Sequence, residues 1–152
     1  MPTIHLQTLI LAPVETVFDL SRSIDLHVDS MAHTRERAIA GRTSGLIALG
    51  ESVTWEGRYL GVKQRLKVHI TAMDPPHSFT DEQLKGAFKS FKHVHTFQAV
   101  PGGTLMIDAF SYESPLGIIG RMFNRLVLDR YLRRMLGIRN QTIKAVAEKQ
   151  HS

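Results

Sequence analysis

The sequence predicts an α+β domain in which a curved antiparallel sheet of about seven strands wraps one long C-terminal helix. Three observations carry this. The middle of the chain is a series of short β-prone runs separated by glycine and proline turns, the pattern of consecutive hairpins. From Ser114 the texture switches to a helical period that holds to about Lys149. Two short helical segments stand between an early strand and the hairpins. A single antiparallel sheet needs its apolar face covered, and only the terminal helix is long enough to do it. A curved sheet gripping a helix tends to leave a cavity between them.

The elements follow in order. Ile4 to Leu11 reads as a strand ended by Ala12-Pro13, and Pro13 suits the first turn of a helix. PVETVFDLSRS places Val14, Val17, Phe18 and Ser21 on one helical stripe. IDLHVDSM gives a second short helix, with Ser23 as its cap and Asp25 in the first turn. Arg35 to Ala40 reads as a strand, followed by a connection punctuated by Gly41, Gly45 and Gly50. ESVTWEGRYL and KQRLKVHITAM are strands joined near Gly61, and in the second Leu66, Val68 and Ile70 alternate with Arg65, Lys67 and His69. Pro75-Pro76 ends it. SFTDEQL, AFKSFKHVHTFQAV and TLMIDAFSYE follow, separated by turns at Lys85-Gly86 and Pro101-Gly102-Gly103. Ser114-Pro115 then opens the long helix. Its apolar stripe reads as Leu116, Ile119, Phe123, Leu126, Tyr131, Met135 and Ile138. Arg121, Arg125, Arg133, Arg134 and Arg139 fall on other faces and read as a solvated surface, and Gly137 as a bend or break.

Composition narrows the function classes. A chain of 152 residues, 43% hydrophobic and 22% charged, fits one globular domain spanning 1–152. The absence of cysteine excludes disulfides, thiol nucleophiles and cysteine-built zinc sites. The N-terminal run does not read as a signal peptide, and no apolar run approaches the ~20 residues a membrane span needs. A cytoplasmic location is therefore expected. The net charge of +5 names no partner. The basic helix reads as an exposed face, so nucleic-acid binding and stable membrane insertion are not expected. Oligomeric state is left open. No phosphate loop, dinucleotide fingerprint, nucleophile elbow or H-E-x-x-H motif occurs, and no cofactor is expected.

Polar residues on an otherwise apolar wall mark the candidate site. In FKHVHTF, strand alternation puts Phe91, His93, His95 and Phe97 on one face. A two-residue turn at Gly102-Gly103 would pair Phe97 with Asp108, His95 with Phe110 and His93 with Tyr112, leaving His95 diagonal to Asp108 and Tyr112. Phe110 and Trp55 extend the same wall. On the preceding strand either Thr80 and Glu82, or Phe79, Asp81 and Gln83, join it. Sparse polar groups on apolar walls are the usual make-up of a small-molecule pocket. The alternatives are histidines satisfied by Asp108, Tyr112 or water, and a metal pair. His-x-His needs further converging ligands, and Gln98, Ala99 and Val100 supply none, so no metal is expected. Asp108 beside Tyr112 is a candidate for acid–base chemistry, since a carboxylate in an apolar wall tends to an elevated pKa. The alternative role is to neutralise or orient a histidine.

These residues resemble a known family. LAPVETVFDL resembles the opening helix of the START-like, polyketide-cyclase and lipid-transport (SRPBCC) superfamily, whose fold is the helix grip. From Val53 to Gly117 the chain is similar to a bacterial ligand-binding subgroup, some of whose members are loosely labelled cell-division inhibitors. Its F-x-D-x-Q … G-x-F-x-x-[WF]-x-H-x-H-x-F pattern falls on Phe79, Asp81, Gln83, Gly86, Phe88, Phe91, His93, His95 and Phe97. The downstream part falls on Gly103, Thr104, Asp108, Tyr112, Pro115 and Gly117. Ala87 stands where proline is common, and Phe91 where tryptophan is common. The resemblance implies a cavity for a small, mostly hydrophobic molecule between sheet and last helix, its polar end oriented by His93, His95, Asp108 and Tyr112. The competing expectation is cyclase, dehydratase or hydrolase-like chemistry on a polyketide-like or aromatic substrate.

Overall fold

The computed structural model describes residues 2–86, 88–113 and 125–151. Strand β1 (Thr3–Ile10) leads into helices α1 (Val14–Ser21) and α2 (Ile24–Ser30), then β2 (Arg37–Gly41), β3 (Ser52–Tyr59), β4 (Val62–Asp74), β5 (Ser78–Lys85), β6 (Ser90–Val100) and β7 (Gly103–Glu113), and finally helix α3 (Arg125–Gln150). The strands form one antiparallel sheet in the order β1-β7-β6-β5-β4-β3-β2. Consecutive hairpins give every neighbour except β1, which closes against β7.

Local chemistry explains the boundaries. Pro13 stands just before α1 rather than inside it, with φ −60° and ψ 150°. The Ser23 hydroxyl accepts the Leu26 N–H and caps α2. Val17, Phe18 and Ser21 are the buried stripe of α1. On the outer face of β3, Glu56 lies opposite both Arg37 and Arg65 in the strand register and accepts hydrogen bonds from both, which hold its carboxyl down to about 2. The opposite faces of β3, β4, β6 and β7 bury Val53, Trp55, Val68, Ile70, Phe97 and Met106.

Two expectations need correction here. The β6–β7 turn is Pro101-Gly102, closed by the pair Val100 and Gly103. Proline fixes φ at the first turn position and Gly102 supplies φ +78° at the second, a combination that suits the turn better than Gly102-Gly103. Gly103 is needed for another reason: a Cβ there would stand 2.3 Å from the Ile10 carbonyl oxygen of β1. The pairing therefore moves by two residues, to His95 with Asp108 and His93 with Phe110, and the inward face is kept because two is the strand period.

The helix stripe is the second correction. Leu128, Leu132, Leu136, Ile143 and Ala147 are the buried positions of α3, whereas Leu126 is exposed. Arg139 and Asn140, 6% and 1% exposed, occupy the middle of that stripe. The helix runs through Gly137 without a break. Its expected start at Ser114-Pro115, and the stripe positions Leu116, Ile119 and Phe123, lie outside the described residues. At the far end Lys144 Nζ donates to the Leu9 carbonyl, 2.7 Å away, and Glu148 accepts the Leu11 N–H at 2.9 Å, tying α3 to the margin of the sheet at β1.

Candidate functional site

Strands β5, β6 and β7 place a compact polar cluster on the face that α3 covers. The His93 and His95 rings stack at 3.7 Å between centroids. Phe79 lies flat on His95 at 4.1 Å, and Phe110 stands edge-on to His93 at 5.3 Å. Each imidazole reaches diagonally across the sheet, the relation that neighbouring strands allow to long side chains. His93 Nε2 lies 2.7 Å from Asp108 Oδ1 on β7, and His95 Nε2 lies 2.7 Å from Asp81 Oδ2 on β5. From α3, Arg139 sends one amino group to the Ser21 carbonyl at 3.1 Å and toward His95 Nδ1 at 3.4 Å, and its other amino group to Asn140 Oδ1 at 3.0 Å. Asn140 Nδ2 donates to Asp108 Oδ2 at 2.8 Å.

Charge settles where the protons sit. Burial alone would raise the Asp108 pKa, but the His93 hydrogen bond, the two imidazoles and the Arg139 guanidinium hold it well below the usual carboxylate range. Asp81 is lowered too: burial is outweighed by the bond and charge of His95, with His93 and Arg139 adding to it. Two ionised carboxylates can only accept, so both Nε2 atoms carry hydrogen. Burial, then His93, push His95 down to about 4, against the pull of Asp81. His95 is thus neutral, donating from Nε2 to Asp81 and offering the Nδ1 lone pair to Arg139. All its ring nitrogens are engaged by protein. His93 differs, because its Nδ1 has no hydrogen-bond partner among the described residues.

The cluster opens on a cavity of about 200 Å³ between sheet and helix, with mainly apolar walls. Of the residues singled out from the sequence, Trp55, Phe91, His93, His95 and Phe110 line it, joined by Phe79 and Asp81. Asp108, Tyr112 and Phe97 do not. Asp108 is fully buried behind the imidazoles, Tyr112 is fully buried, and Phe97 packs between Phe18 and Phe79 at 5.4 and 6.0 Å. The elevated carboxyl expected of Asp108 is overturned, because a buried guanidinium and an imidazole N–H face it.

Residues 10–136 match the sequence profile of the family described as polyketide cyclase/dehydrase and lipid transport. The chain belongs to that family. No curated protein matches it by sequence. Among solved structures it resembles TTHA0849 from Thermus thermophilus, at 16% identity and TM-score 0.73 over 96% of this chain and 99% of that one. It also resembles a START superfamily protein from Mycobacterium smegmatis, at 11% identity and TM-score 0.72 over 97% and 98%. The di-domain ARO/CYC protein StfQ of the steffimycin biosynthetic pathway matches at 15% identity and TM-score 0.73, over 98% of this chain and 52% of that one. These likenesses show the fold, a helix-grip α+β architecture. Among the described residues no helix is long and apolar enough to cross a membrane.

Within this polyketide cyclase and lipid transport fold, sequence reading missed Arg139 and Asn140 and left Asp81 open. The signal for the helix pair was present: two polar residues interrupt the Leu128–Leu132–Leu136–Ile143 stripe where apolar ones belong. Asp81, His93 and His95 also converge closely enough to hold a cation, with donor atoms within 4.8 Å of one another. The Arg139 guanidinium, which takes the Nδ1 lone pair of His95 and stands 3.7 Å from Asp108, opposes that use. The cavity continues toward β2 and β3, where His27, Glu36, Tyr59 and Tyr131 line it.

Proposed function

We propose that the protein binds a small, mostly hydrophobic molecule between sheet and α3, and that His93 together with Arg139 positions a polar group of that molecule. The observation that carries this reading is the unequal use of the two imidazoles. His95 spends both nitrogens inside the protein, whereas His93 keeps Nδ1 on the cavity wall. The apolar lining supplies affinity by removing ligand surface from water, about 25 cal/mol per Å². A few polar atoms then fix orientation. Native mass spectrometry of freshly purified protein, with extraction of any retained molecule, tests it. A retained ligand is expected, at lower occupancy in His93→Phe with the fold preserved by circular dichroism. Equal retention by the variant would reduce His93 to a structural role.

A specific observation also favours catalysis. Asp108 holds His93 in one tautomer through Nε2 and stabilises the imidazolium that would form if Nδ1 took a proton from bound substrate. This second reading expects turnover of the identified molecule, with kcat falling on Asp108→Asn more than KM changes. Binding without turnover leaves the carrier reading alone.

A further inference from the structure

The border of the cavity at β2 and β3 is as carefully built as the histidine cluster. Glu36, just before β2, has a side chain only 4% exposed and faces the cavity. One of its carboxylate oxygens bonds His27 Nε2 from α2, and the other accepts the Tyr59 hydroxyl from β3. His27 in turn lies on the Trp55 indole, 4.3 Å between centroids. Gly57 leaves room for this: a Cβ there would stand 3.0 Å from the Tyr59 hydroxyl and 3.3 Å from the Glu36 Cα. Among the described residues, the non-glycine positions with positive φ are Arg35, at 54°, and Leu60, at 53°. The first directly precedes Glu36 and the second directly follows Tyr59. Each such conformation costs roughly 1–2 kcal/mol and persists where the surroundings hold it.

Unused hydrogen-bonding capacity remains here. A carboxylate offers about four acceptor directions, and His27 and Tyr59 take two. The Tyr131 hydroxyl accepts the Leu60 N–H at 3.3 Å, and its own O–H has no acceptor among the described residues. Burial, then the Glu36 charge, push the Tyr59 phenol up; burial raises Tyr131 too, so both remain donors. We propose that Glu36 and Tyr131 form a second anchor in the cavity, which takes a neutral hydroxyl of the bound molecule as donor to Glu36 and acceptor from Tyr131. The inference rests on the cavity-binding reading above and deepens it.

The strand order fixes what kind of molecule reaches both anchors. The histidines stand on β6 and Glu36 just ahead of β2, four strand steps away across the sheet, so the two anchors lie on opposite sides of the cavity. At the β6 end His93 Nδ1 is the ring nitrogen left for a ligand, and a neutral hydroxyl can serve it either as donor or as acceptor. The ligand class is therefore an elongated apolar molecule with a neutral hydroxyl at each end.

Decane-α,ω-diol and decanol test this as a matched pair, one with both hydroxyls and one with a single hydroxyl. The only tryptophan of the chain, Trp55, lines the cavity, so its fluorescence reports binding of either. The quantity read is the ratio of the two dissociation constants in wild type against the same ratio in Glu36→Gln and Tyr131→Phe, which cancels the intrinsic difference in hydrophobicity. The diol's relative advantage is expected to drop about tenfold in Glu36→Gln, the scale of one hydrogen bond to a charged group, and several-fold in Tyr131→Phe. If Glu36→Gln does not fold, Tyr131→Phe alone decides. An unchanged ratio in the variants, with both alcohols bound, overturns the second anchor and leaves the cavity reading standing. Failure of wild type to bind either alcohol removes both.

Discussion

His95 is the residue whose chemistry is most constrained. Its pKa falls from 6.5 to about 4 on folding, so the unfolded chain takes up the proton first as pH drops. Its contribution to stability is complete above pH 6.5 and erodes as pH falls to about 4, by about 3 kcal/mol in all. Asp81 and Asp108, both depressed, act in a separate window: their contributions are intact above about pH 3.9 and are lost only below it. Urea unfolding followed from pH 7 to pH 4 should show the histidine slope in wild type and a flatter profile in His95→Gln. A slope that survives the substitution would assign the titration to another group. The identity of these residues as a polar spot was legible from their two-residue spacing. Their division of labour was not, because it depends on which neighbour, Asp81 or Asp108, meets which ring.

At the scale of elements, α3 does more than cover the sheet. Arg139 is the only counter-cation that the structure places against the buried carboxylates within hydrogen-bonding range of the cluster among the described residues. Arg139→Met should cost about 3–5 kcal/mol, the range for breaking a buried ion pair from one side. Arg133→Ala, which removes only an exposed pair with Asp129 one turn away, should stay within about 0.5 kcal/mol. Paired thermal melts decide: equal losses would show that Arg139 is not an internal cation. From sequence the two arginines look alike, since each sits in a run of charged and apolar residues with helical spacing. Only the convergence of Asp81 and Asp108 from other elements creates the demand for a buried positive charge. The β6–β7 register slipped for a related reason. Pro-Gly and Gly-Gly are both turn chemistries, and the close approach of β1 to Gly103, a contact between distant segments, separates them. By contrast, strand order and the inward face of β6 needed only alternation and turns, and both were legible.

For the whole molecule, the cavity is a packing defect that the rest of the fold tolerates. Apolar side chains around unfilled space lose dispersion contacts, so a correctly shaped group placed there stabilises. Met135 lines the cavity from α3 and is partly exposed, which gives a larger side chain room to adjust. Met135→Trp should hold or raise the melting temperature while lowering decanol binding at least tenfold. Loss of both stability and binding would indicate that the space is not there to be filled. The fold was legible in the sequence because it depends on periodicity distributed over the chain, and the family because short motifs, LAPVETVFDL and the stretch from Phe79 to Phe97, resemble its own. The polar lining of the β2–β3 border was not, since Glu36, Tyr59 and Tyr131 come from segments far apart and meet only after the sheet has closed around the helix.

The two margins of the sheet have a consequence for solubility. On one side, β2 is five residues long and kinked by the register shift between Ala38 and Ala40. On the other, the Leu9 carbonyl near the end of β1 is engaged by Lys144 from the terminal helix. The β2 margin thus gives an intruding chain no long, regular row of free amides to copy, and the terminal helix closes off the C-terminal end of the β1 margin, which discourages templated fibril growth from a sheet with a hollow middle.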